Sequence, residues 1–376
     1  MQRMITNCYD PTAVRPKLNV EFVSLYSPVL ESEWTFSHHP HIAFFQKKLY
    51  AIWSNGRMNE DDMGQRVLIS VSGDFYNWSA PVPLVDSLMG KHSELVLTAA
   101  GFHCFNDERL VAYFGQYEYK PEYLEKGERK PVDEGHMETC LRAVTSSDGK
   151  VWSTPLDLHV PIVPNHGPAA LSSGRLIISG NTMFPYTDDP SGLAGWKKTG
   201  IYPESMADEI YDDSESFRKV KERMAWAAGL CEGSFYEMGD GTVRMLLRSN
   251  TERLWVTESR DGGETWTSPE VTGFTDNCTK FHFGRLPDGR YYYVGCPDPV
   301  PIGRRNPLVL SLSADGNMFD RHYILGDESF GQKFPGLHKG GDYGYPHSLI
   351  HDGYLYIIFS IQKERVAVIR TAIEGL

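Results

Sequence analysis

Apolar residues along the chain recur in short runs that are broken by polar turns, a pattern typical of antiparallel strands rather than of helices. Six segments share one plan, in which two apolar strands flank a polar turn. They begin at His41, Phe102, Pro168, Phe235, Phe281 and His347. The copies follow one another at roughly fifty to seventy residues, enough for one four-stranded sheet each. The pattern therefore predicts an all-β protein built from repeated sheets.

A second repeat follows the hairpins. Four segments run from an apolar strand into a Ser-x-Asp turn, with an aromatic residue four or five positions later: Val67–Trp78, Leu141–Trp152, Leu254–Trp266 and Leu308–Phe319. The third contains SRDGGETW, which matches in full the S-x-D-x-G-x-T-W Asp box of sialidase-like β-propellers. The Asp of such a turn accepts backbone N–H groups, and the aromatic residue fills the space between sheets. We therefore expect structural rather than acid/base roles for Asp74, Asp148, Asp261 and Asp315.

Together the repeats predict a single β-propeller domain over residues 1–376, with six blades counted from the sequence. The strand LNVEFVSLY near the N-terminus is expected to close the ring as the outer strand of the last blade, beside RVAVIRTAI near the C-terminus. Residues 188–224 break the rhythm. They are either an insertion, with a short helix over Ser205–Met224, or a degenerate seventh blade.

Composition narrows the functional class. The net charge of -12 argues against a nucleic-acid surface. No long uncharged apolar run and no signal-peptide pattern is visible, so we expect no membrane partner and a cytoplasmic location as written, or export if a leader has been removed. Six cysteines without CxxC spacing are expected to be mostly free, buried thiols.

Candidate chemistry lies where the inner strands begin, because those positions converge on one mouth of a propeller channel. The candidates there are His39, His41, His92, His103, His166, Glu232, Lys280, Tyr345 and His347, with Arg57, Gln116, Asn181 and Arg248 from the second strands. Several His, Arg and Tyr residues in one concavity suit a sugar-processing pocket. The same groups also satisfy strand ends and hold channel water in any propeller. Aromatic candidates for stacking on sugar rings are Trp53, Tyr113, Tyr117 and Trp196.

Several segments carry a family resemblance, among them FSHHPHIAFF, ISGNTMFPYTDDPSGLAGW, LCEGSFYE, WVTESRDGGETW and GYPHSLIHDGYLYIIFS. From about Ser37 to Ile373 the chain resembles the propellers that remove terminal L-rhamnose from glucuronic acid in plant gums such as gum arabic. The resemblance implies seven blades, a channel site with histidine as acid or base, and either a rhamnose-α-1,4-glucuronate lyase or an α-L-rhamnosidase. In lyase members it also implies a central metal ion.

For the lyase, elimination from a 4-linked glucuronate needs a base for H5, a cation at the C6 carboxylate and an acid for the departing oxygen. We assign His39, His92 or His166 as base or acid, with Tyr345 as the alternative acid. Arg248 is the expected carboxylate partner, with Lys280 in support. The remaining candidates are expected to bind substrate: His41, His103, Arg57, Gln116, Asn181, Glu232 and His347.

Three alternatives stay open. A rhamnosidase would normally use two carboxylates, and Glu232 is the one clear Glu at this mouth, with Glu94 and Glu118 as weaker candidates. This scarcity of paired acids weakly favours the lyase. A sialidase uses an arginine triad, an Asp acid and a Tyr–Glu nucleophile pair. Arg57, Arg248 and Arg305 are candidates for the triad, although no R-I-P motif accompanies them. The third alternative is a non-catalytic carbohydrate-binding propeller.

No transition-metal motif or cofactor motif is present in the sequence. Calcium in the central channel is an expectation that sequence spacing does not test, because its oxygen ligands leave no fixed pattern. The expected partner is an oligosaccharide or polysaccharide that ends in rhamnose-glucuronate.

Overall fold

The computed structural model describes residues 5–121, 136–201 and 229–376, which form an all-β protein of small antiparallel sheets. Strand β1 (Glu21–Tyr26) precedes the first sheet. That sheet contains β2 (Phe36–Phe45), β3 (Lys48–Gly56), β4 (Arg66–Ser72) and β5 (Val82–Val85). The second sheet contains β6 (Val96–Phe105), β7 (Arg109–Tyr119), β8 (His136–Ser146) and β9 (Leu156–Asp157).

The remaining sheets follow in chain order. The third contains β10 (Ala169–Ala170), β11 (Leu176–Ile177) and β12 (Tyr186–Thr187). The fourth contains β13 (Cys231–Glu237), β14 (Val243–Arg248), β15 (Arg253–Ser259) and β16 (Glu270–Thr275). The fifth contains β17 (His282–Arg285), β18 (Tyr291–Gly295), β19 (Leu308–Ser313) and β20 (Arg321–Gly326). The sixth contains β21 (Gly344–His351), β22 (Tyr354–Ile361) and β23 (Arg365–Ala372).

The N-terminal strand closes the ring. Strand β1 pairs with β23 and is the outer strand of the sixth sheet, in the order β1-β23-β22-β21. The guanidinium of Arg370 bonds the carboxylate of Glu21 at 3.1 Å, so an ion pair reinforces this pairing. The predicted ring closure is confirmed, and it covers the outer edge of β23.

In the described part of the chain, six apolar clusters lie between the six sheets, one at each boundary. The cluster between the first and second sheets includes Phe45 and Phe114. The cluster between the first and sixth sheets includes Trp53 and Val368, so the series returns to its start. The first strands lie innermost, since β2 packs against β6 and β21, and β17 packs against β13 and β21. This closed arrangement is a β-propeller, as the repeats predict.

The four turn aspartates lie in the turns that follow the third strands of the first, second, fourth and fifth sheets. Asp261 accepts the backbone N–H groups of Glu264 and Thr265 at 3.0 and 2.9 Å. Asp74, Asp148 and Asp315 each accept two backbone N–H groups in the same way. These bonds give the carboxylates a turn-forming role, as expected from the sequence.

The irregular region is only partly described. Within it, the backbone of Lys197 forms an isolated antiparallel β-bridge with that of Tyr186 in β12, beside the third sheet. The helix predicted over Ser205–Met224 lies outside the described residues, which end at position 201 and resume at 229. The choice between an insertion and a seventh blade therefore stays a prediction.

Two expectations about side chains need correction. Trp53, Tyr113 and Tyr117 are fully buried between strands, so they pack the core and do not present a face to a sugar. The cysteines are free as expected, but only Cys278 and Cys296 are buried. Among the residues with described positions, no helix has the length and apolar character needed to cross a membrane.

Candidate active site

Three inner strands carry irregularities that turn side chains toward the channel. The pairing register shifts between His38 and His41 in β2, between Cys231 and Ser234 in β13, and between Gly344 and His347 in β21. Within these shifts His39, Glu232 and Tyr345 have φ angles of 54°, 51° and 51°. Such left-handed backbone costs free energy for a residue other than glycine, and bulges next to active sites re-aim side chains.

Tyr345 and Glu232 form a buried pair. The Tyr345 hydroxyl donates to Oε1 of Glu232, and Nη1 of Arg248 donates to Oε2 at 2.6 Å. Burial alone raises the pKa of Glu232, but the charge of Arg248 and the hydrogen bonds from Tyr345 and Arg248 outweigh it and hold that pKa below its usual value. Burial, followed by the charge of Glu232, raises the pKa of Tyr345 well above its usual value. The site therefore holds a neutral phenol against an ionised carboxylate.

A second arginine lies beside this pair. The guanidinium carbon of Arg305 is 5.2 Å from the centre of the Tyr345 ring, and the residue is 8% exposed. Among the residues that the structure describes, Nε and Nη1 of Arg305 have no hydrogen-bond acceptor, and neither has Nε of Arg248. Buried guanidinium N–H groups without acceptors are costly unless a ligand satisfies them, and a carboxylate matches their geometry.

Two adjacent histidines complete this side of the site. The ring centres of His38 and His39 lie 3.9 and 5.2 Å from that of Tyr345. Their Nδ1 atoms lie 2.7 Å from Ser360 Oγ and 3.1 Å from Ser54 Oγ. Burial, reinforced by neighbouring positive charges, lowers the pKa of both rings well below the usual value. Both imidazoles are therefore neutral near pH 7 and can accept a proton.

Two further carboxylates lie near these groups, Glu60 beside His38 and Asp276 near Arg248 and Glu232. Glu60 lies 3.9 Å from Nε2 of His38 and accepts a 2.6 Å bond from Lys363. Asp276 is fully buried, and burial raises its pKa to about 7. Because the charges of Arg248 and Glu232 act on Asp276, it belongs to the same electrostatic cluster.

Lys280 connects this cluster with the channel histidines. Its amine is fully buried, 5.6 Å from the centre of the Tyr345 ring and 3.4 Å from Nε2 of His41. Burial lowers the pKa of Lys280 to about 7, against the opposing charge of Glu232. The other nitrogen of His41, Nδ1, lies 3.1 Å from the backbone oxygen of His39.

Beside His41, the rings of His166, His282 and His347 form a cluster. One ring nitrogen from each lies within 4.8 Å of the other two, a separation that brings them near the range for metal ligation. The three rings line a cavity of about 80 Å³ together with Phe102, Phe235 and Phe283. A second group that can offer metal ligands is His38, His39 and Glu60.

The structure thus brings together eight of the sequence-predicted residues: His39, His41, His166, Glu232, Arg248, Lys280, Tyr345 and His347. It does not add His92, because the carboxylate of Glu118 accepts the backbone N–H groups of Lys91, His92 and Ser93 and leaves the His92 side chain exposed on the preceding loop. The expected ring of six blade starts is wrong at this position.

Four other expected binding residues also lie elsewhere. Arg57 is paired with both oxygens of Glu94 at 2.7 and 3.0 Å. Gln116 lines a separate polar cavity of about 560 Å³ beside the second sheet. His103 is held by the backbone oxygen of Pro190 at 2.8 Å. Asn181 lies partly exposed in the bend after β11, with no described contact to Tyr345 or Glu232.

Sequence reasoning did not find several members of the site. Arg305 is in a loop between β18 and β19, where no repeat marks it, and it was considered only as a candidate for an arginine triad. His38 precedes a predicted residue by one position, and its strand irregularity makes both face Tyr345. No sequence motif marks His282, although its position two residues after Lys280 is a signal for a shared face.

Comparisons with known proteins agree with the fold. The family model of the BNR repeat-like domain matches residues 47–357. A sialidase structure is similar with a TM-score of 0.65 at 18% identity, over 96% of this chain and 33% of that chain. A protein of unknown function from Dyadobacter fermentans DSM 18053 is similar at 0.62 and 18%, over 94% of this chain and 99% of that chain.

A Trypanosoma rangeli sialidase in complex with sialic acid is similar with a TM-score of 0.62 at 15% identity, over 96% of this chain and 60% of that chain. The chain therefore spans 33% and 60% of the lengths of these two sialidases. At such identities the likeness establishes the fold alone. No curated protein matches the chain.

Proposed function

Since the chain belongs to the family of BNR repeat-like domains, we propose that it is a carbohydrate-active enzyme that cleaves a terminal glycosidic bond next to a sugar carboxylate. The observation that carries this proposal is the buried Tyr345–Glu232 pair beside Arg248 and Arg305. The pair supplies a reactive phenol with a proton acceptor. The two guanidinium groups supply N–H donors for an anionic substrate.

The first candidate reaction is hydrolysis through a covalent intermediate. The Tyr345 oxygen attacks the anomeric carbon while its proton passes to Glu232, and an acid protonates the leaving oxygen. Water then cleaves the glycosyl–tyrosine bond, which returns the phenol. A tyrosine nucleophile is the sialidase variant of glycoside hydrolysis. The contact from Tyr345 to Glu232 favours this reaction, because a neutral phenol needs an adjacent base to become nucleophilic.

The second candidate is release of L-rhamnose from a 4-linked glucuronate by elimination. A neutral histidine takes H5, the arginines hold the C6 carboxylate, and Tyr345 gives its proton to the departing rhamnose oxygen, which leaves a C4–C5 double bond. His39 favours this reaction, since its uncharged ring lies 5.2 Å from the Tyr345 ring between ring centres. The substrate in this case is the rhamnose-capped glycan that the sequence resemblance implies.

Product analysis tests the proposal. The protein is incubated separately with a rhamnose-capped glucuronate oligosaccharide and with an α-linked sialoside, and free sugar is measured beside ultraviolet absorbance. Free sugar without a new chromophore supports hydrolysis, whereas rhamnose and an unsaturated uronate in equal amounts support elimination. If neither substrate is cleaved although one binds, the protein is a carbohydrate-binding propeller and the proposal is wrong.

A further inference from the structure

The three channel histidines come from different sheets and present nitrogen atoms to one small cavity. His166 precedes β10 in the third sheet, His282 begins β17 in the fifth, and His347 lies on β21 in the sixth. Their ring centres are 5.1 Å apart for His166 and His282, 4.5 Å for His282 and His347, and 6.0 Å for His166 and His347. The cavity of about 80 Å³ that they line has room for an ion and a water molecule.

A hydrogen bond orients the His166 ring for ligation. Nε2 of His166 lies 2.9 Å from the backbone oxygen of Phe281, so this nitrogen carries the proton and Nδ1 is left with its lone pair. Nδ1 of His166 is buried and has no partner among the described residues. A ligand histidine that donates its other N–H to a backbone carbonyl is a common arrangement at metal sites.

The other two rings are contacted at Nδ1. Nδ1 of His282 lies 2.6 Å from Ser348 Oγ and 3.3 Å from the backbone nitrogen of Ser348, whose N–H it accepts, so both described hydrogen bonds of this ring are at Nδ1 and Nε2 is the nitrogen left to face a ligand. The backbone N–H of Ile42 lies 3.4 Å from Nδ1 of His347, a long contact that leaves this ring free to turn. Bonds of about 2.0–2.1 Å to zinc require ligand nitrogens closer together than the 4.8 Å limit of the cluster, so small rotations must complete the site.

The donor set decides which metal fits. Calcium takes six to eight oxygen ligands. The cluster offers three imidazole nitrogens and no carboxylate oxygen among the described residues, so it does not fit the calcium ion expected from the sequence. Imidazole suits zinc, cobalt, nickel and copper, and three histidines leave one position open for water.

We propose that His166, His282 and His347 bind one divalent transition metal ion, of the zinc type, within the propeller channel. The ion links the third, fifth and sixth sheets at their inner strands. It therefore acts first as a cross-link across the channel.

Lys280 opposes this binding, because its charge acts on all three rings. Binding is measured at pH 8, where unperturbed histidine side chains are neutral and can ligate a metal ion.

The test uses the full chain without a polyhistidine tag, stripped with a chelator and titrated with Zn²⁺ and, separately, Co²⁺ and Ca²⁺. We expect one Zn²⁺ per chain by calorimetry, a Co²⁺ absorption spectrum without thiolate bands, a higher melting temperature with Zn²⁺, and no Ca²⁺ competition. His282→Gln should weaken Co²⁺ binding at least about tenfold. The positioning variant Ser348→Ala should weaken it by about 10–100-fold.

The matched control is His159→Gln, since the His159 side chain is 89% exposed and lies outside the cluster. It should bind Co²⁺ as the wild type does. If His282→Gln does not fold, Ser348→Ala decides the question. The proposal is overturned if the wild type binds neither metal, if the cluster variants bind as the wild type does, or if Ca²⁺ displaces Zn²⁺. These readouts are independent of activity, so they do not depend on the proposed reaction.

Discussion

Backbone conformation at single residues builds the reactive pair. Regular β-strands alternate their side chains between two faces, and Tyr345, Glu232 and His39 leave this alternation through left-handed φ angles of 51°, 51° and 54°. Each lies at a register shift of an inner strand. The free-energy cost of such residues is offset by the surrounding sheet, which holds the side chains where they can react.

Removing one oxygen tests the reactive pair. Tyr345→Phe keeps the ring that packs on His38 but deletes the hydroxyl that donates to Glu232. We expect kcat to fall at least about 100-fold, as for loss of a proton-transfer or nucleophilic group, with little change in melting temperature. The control Tyr293→Phe deletes a buried hydroxyl that has no partner in the described part of the chain. Equal turnover of Tyr345→Phe and wild type would show that the phenol does not react.

A substitution of Arg305, whose guanidinium has two N–H groups without described acceptors, tests whether the substrate is an anion. Arg305→Lys keeps the positive charge but loses the planar arrangement of N–H donors. Hydrogen bonds to charged groups contribute about 1.5–3 kcal/mol, so KM for the carboxylate substrate should rise roughly 10–100-fold with a smaller change in kcat.

Arg57→Lys is the matched control for this substitution. Its side chain is paired with Glu94 outside the cluster, so KM should stay at the wild-type value. A methyl ester of the substrate carboxylate should bind wild type and Arg305→Lys equally. An unchanged KM of Arg305→Lys for the free acid would remove Arg305 from the substrate site.

At the scale of elements, the hairpin turns and the inner strands have separate tasks. The turn carboxylates accept backbone N–H groups in the turns after the third strands of four sheets. Hydrogen bonds hold the pKa of the exposed Asp74 and Asp148 below the usual value. The reactive residues lie on the inner strands and the loops before them. Changes in the turns should therefore alter stability without altering turnover.

Asp261→Ala tests this separation. The substitution removes the acceptor of the Glu264 and Thr265 N–H groups, and charge-assisted bonds of this kind contribute about 1.5–3 kcal/mol to stability. We expect the free energy of unfolding to fall by about that amount, as measured by denaturant titration, while kcat at low temperature stays constant. The exposed Asp320, which has no described side-chain hydrogen bond, gives the control Asp320→Ala. A large loss of kcat in folded Asp261→Ala would place this carboxylate in the chemistry.

At the scale of the whole molecule, closing the ring brings six histidines together, four of them buried and two, His282 and His347, half-buried. Burial is the leading cause that lowers the pKa of all six: His38, His39, His41, His166, His282 and His347. The pKa of His282 falls to about 3. The folded protein therefore keeps these rings neutral at pH values where the unfolded chain protonates them.

The sign of the resulting pH dependence follows from proton uptake. Below the unfolded histidine pKa of about 6.5 the unfolded chain binds more protons, so stability is present above that pH and is lost as pH falls. Asp276 has the opposite effect on the pH dependence of stability, because its pKa in the folded protein is raised to about 7. The six histidines outnumber this single carboxyl group. We expect the melting temperature, measured with chelator, to fall steadily from pH 6.5 to pH 4.5.

Single histidine variants check the origin of this loss. His282→Gln removes one buried titrating ring and should make the fall in melting temperature less steep, whereas His159→Gln, at an exposed position, should leave it unchanged. A melting temperature that is constant down to pH 5 would contradict the neutral channel.

The sequence by itself determined the parts of this protein that depend on near neighbours in the chain. The two-residue alternation fixed the hairpins, the Ser-x-Asp pattern fixed the turns around Asp74, Asp148, Asp261 and Asp315, and the repeat gave six sheets with β1 closing the last. Each of these follows from local side-chain direction or local hydrogen bonding.

Only the tertiary structure decided which polar side chains meet. Arg305, Tyr345 and Glu232 are far apart in sequence and come together because the ring closes and irregular strand starts rotate their side chains inward. His92 occupies an equivalent sequence position, but the carboxylate of Glu118 binds its loop and leaves the ring outside. Contacts of this kind depend on long-range packing and backbone rotation at single residues, and a repeat pattern carries information on neither.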